Sequence, residues 1–174
     1  NCYISQIGLY GYEFKNDCSN TLISNCVAED TYYPLYFGGD GAHTELGYVK
    51  NSLIENCTVR RATSGAAITM GLASNNTVGN ISIDNTGVAT PNFSVSILNG
   101  SNNNSVTGID LKGRNYEAVT VHTGSNGNVI EFTNMNDGAY GGRGSTGIAN
   151  DCANNTVIFG NRDSTQALYL ESYS

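Results

Sequence analysis

Apolar and polar residues alternate along this chain in short bursts, and the bursts repeat. One runs Asn104-Ser105-Val106-Thr107-Gly108-Ile109-Asp110-Leu111. Others begin at Asn20, Asn51, Asn76, Asn126 and Asn155, each with an Asn, usually a small hydroxyl residue, an aliphatic and then alternation. The aliphatic anchors Leu22, Leu53, Val78, Val106, Val129 and Val157 stand 31, 25, 28, 23 and 28 residues apart. A second extended segment precedes the next Asn, as in Leu35-Tyr36-Phe37, Ala67-Ile68-Thr69-Met70, Ser94-Val95-Ser96-Ile97-Leu98 and Ala118-Val119-Thr120-Val121. Alternation with period two marks strands with one buried face, and a repeat of this length marks a solenoid, propeller or array. A propeller blade needs four antiparallel strands and a longer period. Leucine-rich repeats need a helical return segment that is missing here. The pattern predicts an all-β solenoid of short parallel strands, about six to seven coils, forming one domain over residues 1–174. Its interior column would be the six aliphatic anchors. The recurrent Asn would form a second ladder at a turn, amide stacked on amide.

Composition sharpens this picture. Charged residues make up only 13% of the chain, and polarity comes from 24 Asn with many Ser, Thr and Gly. Such residues favour turns and extended backbone over helix. A net charge of −7 argues against nucleic acid or an anionic membrane surface as partner. No apolar run is long enough to insert in a membrane. Of the five cysteines, Cys2, Cys26 and Cys57 follow Asn, and Cys18 and Cys152 follow Asp shortly before a repeat begins. Neither CxxC nor Cys/His spacing is present, so no metal site and no cofactor is expected. Stacked, unpaired thiols are the expected state, which fits assembly in a reducing cytosol. The Asn-x-Ser/Thr sequons, among them Asn56, Asn75, Asn80, Asn103 and Asn154, read as a by-product of composition, because a glycan on the repeat would disrupt the stack.

The longest circuit, Leu22 to Leu53, carries its surplus between Tyr32 and Lys50. Loops that interrupt a solenoid are where binding is expected. This one gathers Tyr32, Tyr33, Tyr36, Tyr48 and Lys50, with Arg60 and Arg61 one coil later. Aromatic faces stack on sugar rings while polar groups hold hydroxyls, so these residues form a candidate carbohydrate-binding set. Asp40, His43 and Glu45 in the same loop are the candidate acid and base for glycosidic cleavage or proton abstraction from a uronate. His122 reads as an ordinary strand-end histidine, and Gly138–Gly144 as a flexible loop rather than a phosphate loop.

Over essentially its whole length the repeat resembles right-handed parallel β-helix proteins of the pectate-lyase-like class. That class includes polysaccharide lyases, glycoside hydrolases, mannuronan epimerases, and bacteriophage tailspikes and tail appendages. The resemblance implies a single-stranded, right-handed β-helix, and it is specific for fold rather than for function. Tyr10-Gly11-Tyr12-Glu13-Phe14-Lys15 is similar to the Tyr-Gly-Phe-Asp-Pro-His motif of mannuronan epimerases. By that match Tyr10 keeps the tyrosine role, Glu13 stands for Asp and Lys15 for His, so two of the three catalytic positions differ. No capping element is legible at either end, and solenoid ends need polar covers. The expectation is therefore a piece of a longer β-helix, working as a homotrimeric phage tailspike or appendage. It would be assembled in the host cytoplasm, carried on the virion tail, and bind or degrade a host-surface polysaccharide or cell-wall glycopolymer. The alternative expectation is a secreted bacterial polysaccharide lyase or uronate C5-epimerase.

Overall fold

Asn and Gly punctuate the strands at backbone positions that other residues disfavour. Asn20, Asn51, Asn75, Asn103, Gly127 and Asn154 all have φ between 51° and 67°. Only Gly, Asn and Asp enter this left-handed region without a steric penalty of order 1–2 kcal/mol. These residues stack as one corner, and the backbone N–H groups of the first five donate to the next coil, as Asn20 does to Lys50 O and Asn103 to Asn126 O. A second left-handed line, Asn25, Asn56, Asn80 and Gly108, bends the strands of the first sheet. Gly127 replaces Asn because a Cβ there would lie 2.5 Å from Asn103 Oδ1.

Between these corners a computed structural model places parallel strands that stack into a β-solenoid of about five turns, with no helix among the described residues. The structure describes residues 2–6, 9–15, 17–38, 48–63, 65–88, 93–113, 117–136, 146–149, 151–162 and 170–173. The first sheet has nine strands, from Tyr3–Ser5 to Thr156–Arg162, and the second has seven, from Tyr10–Phe14 to Leu170–Tyr173. A short third side pairs Val49–Lys50 with Ala73–Ser74. All strand pairs are parallel, as the repeat predicts.

The interior column corrects the sequence reading by one residue in half of the coils. Leu22 is 59% exposed and Val129 37% exposed. The register aligns Leu22 with Leu53, Thr77, Ser105 and Val129 as an outward line. The inward column is Ile23, Ile54, Val78, Val106, Ile130 and Val157. Period two explains the slip: adjacent aliphatics such as Leu22-Ile23 and Val129-Ile130 offer two anchors, and only one of each points inward. Further columns run through Ile81, Ile109, Phe132 and Phe159, and through Leu35, Ile68, Val95 and Val119. Each fully buried aliphatic contributes about 1.5–3 kcal/mol. Cys26 and Cys57 pack in this core as neighbouring thiols, and all five cysteines are unpaired.

The asparagine ladder is present. Asn76 Nδ2 donates to Asn104 Oδ1 (3.1 Å), Asn104 Nδ2 to Asn128 Oδ1 (3.0 Å), and Asn128 Nδ2 to Asn155 Oδ1 (2.9 Å). Each Oδ1 also accepts the backbone N–H of the preceding rung, and each second amide proton reaches a corner carbonyl, such as Ala73 O from Asn104. Thr21 and Ser52 occupy the same position in earlier coils, where Ser52 Oγ and Asn76 Oδ1 accept the equivalent backbone bonds. The sequon asparagines are different residues. Asn56, Asn75, Asn80, Asn103 and Asn154 are exposed at the left-handed corners, so their side chains stand outside the buried stack.

Candidate functional site

The second sheet turns Tyr36, Thr69, Ser96 and Thr120 outward in one line, because Leu35 and Phe37, Ile68 and Met70, and Val95 and Ile97 alternate with them into the core. At the start of this sheet two adjacent coils contribute aromatic rings. Tyr33 stacks on Tyr10 at 5.5 Å with the planes 19° apart, and Tyr36 lies 4.9 Å from Tyr10 and 5.5 Å from Tyr33. Tyr32 meets Tyr33 edge-on at 4.5 Å. Gly65 makes this packing possible, since a Cβ there would come within 2.5 Å of the Tyr33 ring and of Tyr32 O.

The rings border an open cavity of about 250 Å³. Tyr32, Tyr33, Tyr36 and Phe93 line its aromatic part, and Thr69 and Ser96 its hydroxyl part. Thr69 is 4% exposed, and its Oγ1 has no hydrogen-bond partner. Burial, then the adjacent Tyr32, push the Tyr33 phenol above its usual value. The cavity is therefore aromatic, hydroxyl-lined and uncharged at neutral pH. Such a surface packs against a sugar ring and hydrogen-bonds its hydroxyls.

Three of the expected binding residues, Tyr32, Tyr33 and Tyr36, meet here. The other four stand elsewhere. Tyr48 and Lys50 belong to the short third side, with the Lys50 ammonium 6.0 Å from the Tyr48 ring. Arg60 and Arg61 follow the first sheet and border a smaller hollow with Asp84 and Thr86. Arg61 is committed to ion pairs: its Nε and Nη2 each donate to Asp30 at 2.7 Å, and Nη2 also reaches Glu29 Oε1 at 2.5 Å. The Tyr3 hydroxyl closes on the other Glu29 oxygen. This bond, with Arg61, holds the Glu29 carboxyl below its usual range, and Arg61 does the same to Asp30. Arg60 sits in an outward line of alternating charge, Glu29, Arg60, Asp84, Lys112. That arrangement favours register rather than ligand capture.

Asp40, His43 and Glu45 lie outside the described residues. In the epimerase-like segment, Glu13 pairs with Lys15 at 3.4 Å and the Lys15 ammonium lies 5.9 Å from the Tyr10 ring. The carboxylate that would stand for the catalytic Asp is thus neutralised by the residue that would stand for His. No group of three or more His, Cys, Asp or Glu that could hold a metal converges among the described residues.

Gly65, Thr69, Phe93 and Ser96 are members of the cavity that the sequence reading did not single out. The outward position of Thr69 and Ser96 could have been read from the alternation around them. Tyr10, read from the sequence only as part of the epimerase-like segment, backs the cavity's tyrosines through its pairing with Tyr33 across coils.

The fold and cavity define a parallel β-solenoid with an aromatic groove on one sheet. No protein-family model, curated protein or solved structure matches the chain.

Proposed function

We propose that this chain is the glycan-binding β-solenoid of a phage tailspike or tail appendage, which works as a homotrimer on the virion tail and holds a host-surface polysaccharide. The observation that carries the reading is the wall of Tyr32, Tyr33, Tyr36 and Phe93 beside Thr69 and Ser96. Rigid aromatics on a sheet present contact area at small conformational cost. Unpaired thiols and the low charge agree with assembly in a reducing compartment and with an uncharged ligand surface. Cleavage or epimerisation would rest on Asp40, His43 and Glu45, so binding alone is what the described geometry supports.

The test is binding to a panel of surface polysaccharides by the intact chain and by Tyr36→Ala, with circular dichroism to check folding. Tyr36 faces outward and is half-buried, so its loss leaves the core intact. The expected result is at least about a tenfold loss of affinity, since truncating an aromatic anchor costs about 2 kcal/mol or more. Unchanged binding would exclude the groove. Light scattering tests the assembly: a mass near three 18.4 kDa chains is expected, and a monomer refutes the trimeric spike.

A further inference from the structure

The unpartnered hydroxyl at Thr69 says more about the ligand than the aromatic wall does. A buried polar group without a partner is unfavourable, and it persists where a ligand or water completes it. Thr69 Oγ1 is buried without a partner, the residue itself lines the cavity, and Ser96 pairs with it one coil further on. A hydroxyl can donate or accept, so it suits another hydroxyl or an amide carbonyl. It does not supply the positive charge that a buried carboxylate needs.

That charge is missing from the described part of the lining. Among the described residues that border the cavity, the polar side chains are tyrosine, serine and threonine, and none is cationic. Burial, then the adjacent Tyr32, raise the Tyr33 phenol above its usual value. Arg61, which stands away from the cavity, is held by Glu29 and Asp30. The protein as a whole carries −7. Burying an acidic sugar here would leave an ion without a counter-charge in an acidic molecule, which is strongly disfavoured. The volume sets a second limit. At about 250 Å³ the cavity falls below the roughly 300–1,000 Å³ of pockets for drug-sized ligands, so it holds a single ring rather than a stretch of polymer.

Building on the glycan-binding reading, we infer that this cavity is a subsite for one uncharged sugar ring, with a ring hydroxyl or N-acetyl oxygen bonded to Thr69 Oγ1, and that it discriminates against uronates. The ring lies against the tyrosines while its polar edge points toward Thr69 and Ser96. A host polymer that contains uronic acid would engage this subsite through its neutral residues.

The experiment compares neutral gluco-, manno- and galacto-oligosaccharides with oligogalacturonate of matched length, using the full chain, Thr69→Val and Tyr36→Ala. Valine keeps the shape of threonine and deletes only the hydroxyl, so the melting temperature of Thr69→Val is expected to hold or rise. Its affinity for the neutral ligand is expected to fall about tenfold (~1.4 kcal/mol). Oligogalacturonate is expected to bind at least about tenfold more weakly than the best neutral ligand. Equal or tighter uronate binding overturns the inference, and so does unchanged neutral-sugar affinity in Thr69→Val. In either case the tyrosine groove remains a glycan site if Tyr36→Ala still abolishes binding. Failure of the intact chain to bind both ligand classes removes the glycan-binding reading, and this inference with it.

Discussion

Replacing Asn104 with Ala removes one rung of the amide ladder and should be among the most damaging surface-free changes this chain can suffer. Asn104 is 1% exposed. Its Oδ1 accepts from Asn76 N (3.0 Å) and Asn76 Nδ2 (3.1 Å), and its Nδ2 donates to Ala73 O (2.9 Å) and Asn128 Oδ1 (3.0 Å). Three of the partners keep a second bond: Asn76 Nδ2 to Val49 O, Ala73 O from Asn102 N, and Asn128 Oδ1 from Asn104 N. The Asn76 N–H keeps none. One orphaned buried donor costs about 1–3 kcal/mol, and each lost bond about 0.5–1.5 kcal/mol. Partial recovery through water brings the expected loss to about 3–5 kcal/mol, a large share of the roughly 5–15 kcal/mol that stabilises a domain. The preceding residue is the control. Asn103 is exposed, and what it supplies is tolerance of φ = 55°. Asn103→Ala should cost about 1–2 kcal/mol of left-handed strain, and Asn103→Gly only a few tenths. Urea denaturation followed by circular dichroism gives all three values by linear extrapolation, provided the slopes agree. If Asn104→Ala loses no more than Asn103→Ala, the ladder is not a principal source of stability and the reasoning fails.

Two further perturbations test other parts of the structure. Ile130→Thr places a hydroxyl in the core and should cost about 2–4 kcal/mol, whereas Val129→Thr should stay within about 0.5 kcal/mol; equal effects in thermal melts would refute the corrected register. Arg61 holds the Asp30 carboxyl below its usual range, so its stabilisation is complete above the unfolded carboxylate value of about 4 and disappears as pH falls through the lower folded value. The melting temperatures of the parent and Arg61→Met should therefore differ at pH 7 and converge in acid. A gap of constant size from pH 7 to 3 would show that the ion pairs do not supply the difference.

The solenoid was legible in the sequence because its rungs reuse one local rule: a left-handed Asn or Gly, a ladder residue, then alternation. What the sequence left open is phase. Leu22-Ile23 and Val129-Ile130 are chemically equivalent pairs, and only the stacking of Ile54 and Val78 against them decides which member turns inward. The same limit governs the site. Tyr32, Tyr33 and Tyr36 are close in sequence and were found together. Arg61 was expected beside them, yet it spends its donors on Asp30, an interaction across 31 residues that no local pattern reveals. Thr69 was hidden for another reason. A threonine in a strand is unremarkable until its hydroxyl is seen to be buried and alone.

The ladder spacings carry an evolutionary consequence. Successive rungs are joined by bonds across 31, 24, 28, 24 and 27 residues, each from a backbone N–H to the side-chain oxygen of the next rung. Inherited change can therefore lengthen or shorten the path between two corners without disturbing any stacking partner. Whole segments between coils can be lengthened or shortened while the ladder residues that index them stay in place. A lineage under pressure to meet a changing surface would then rewrite its excursions quickly and its corners slowly. Excising the surplus of the 31-residue circuit down to a 24-residue one should yield a shorter relative of the same solenoid.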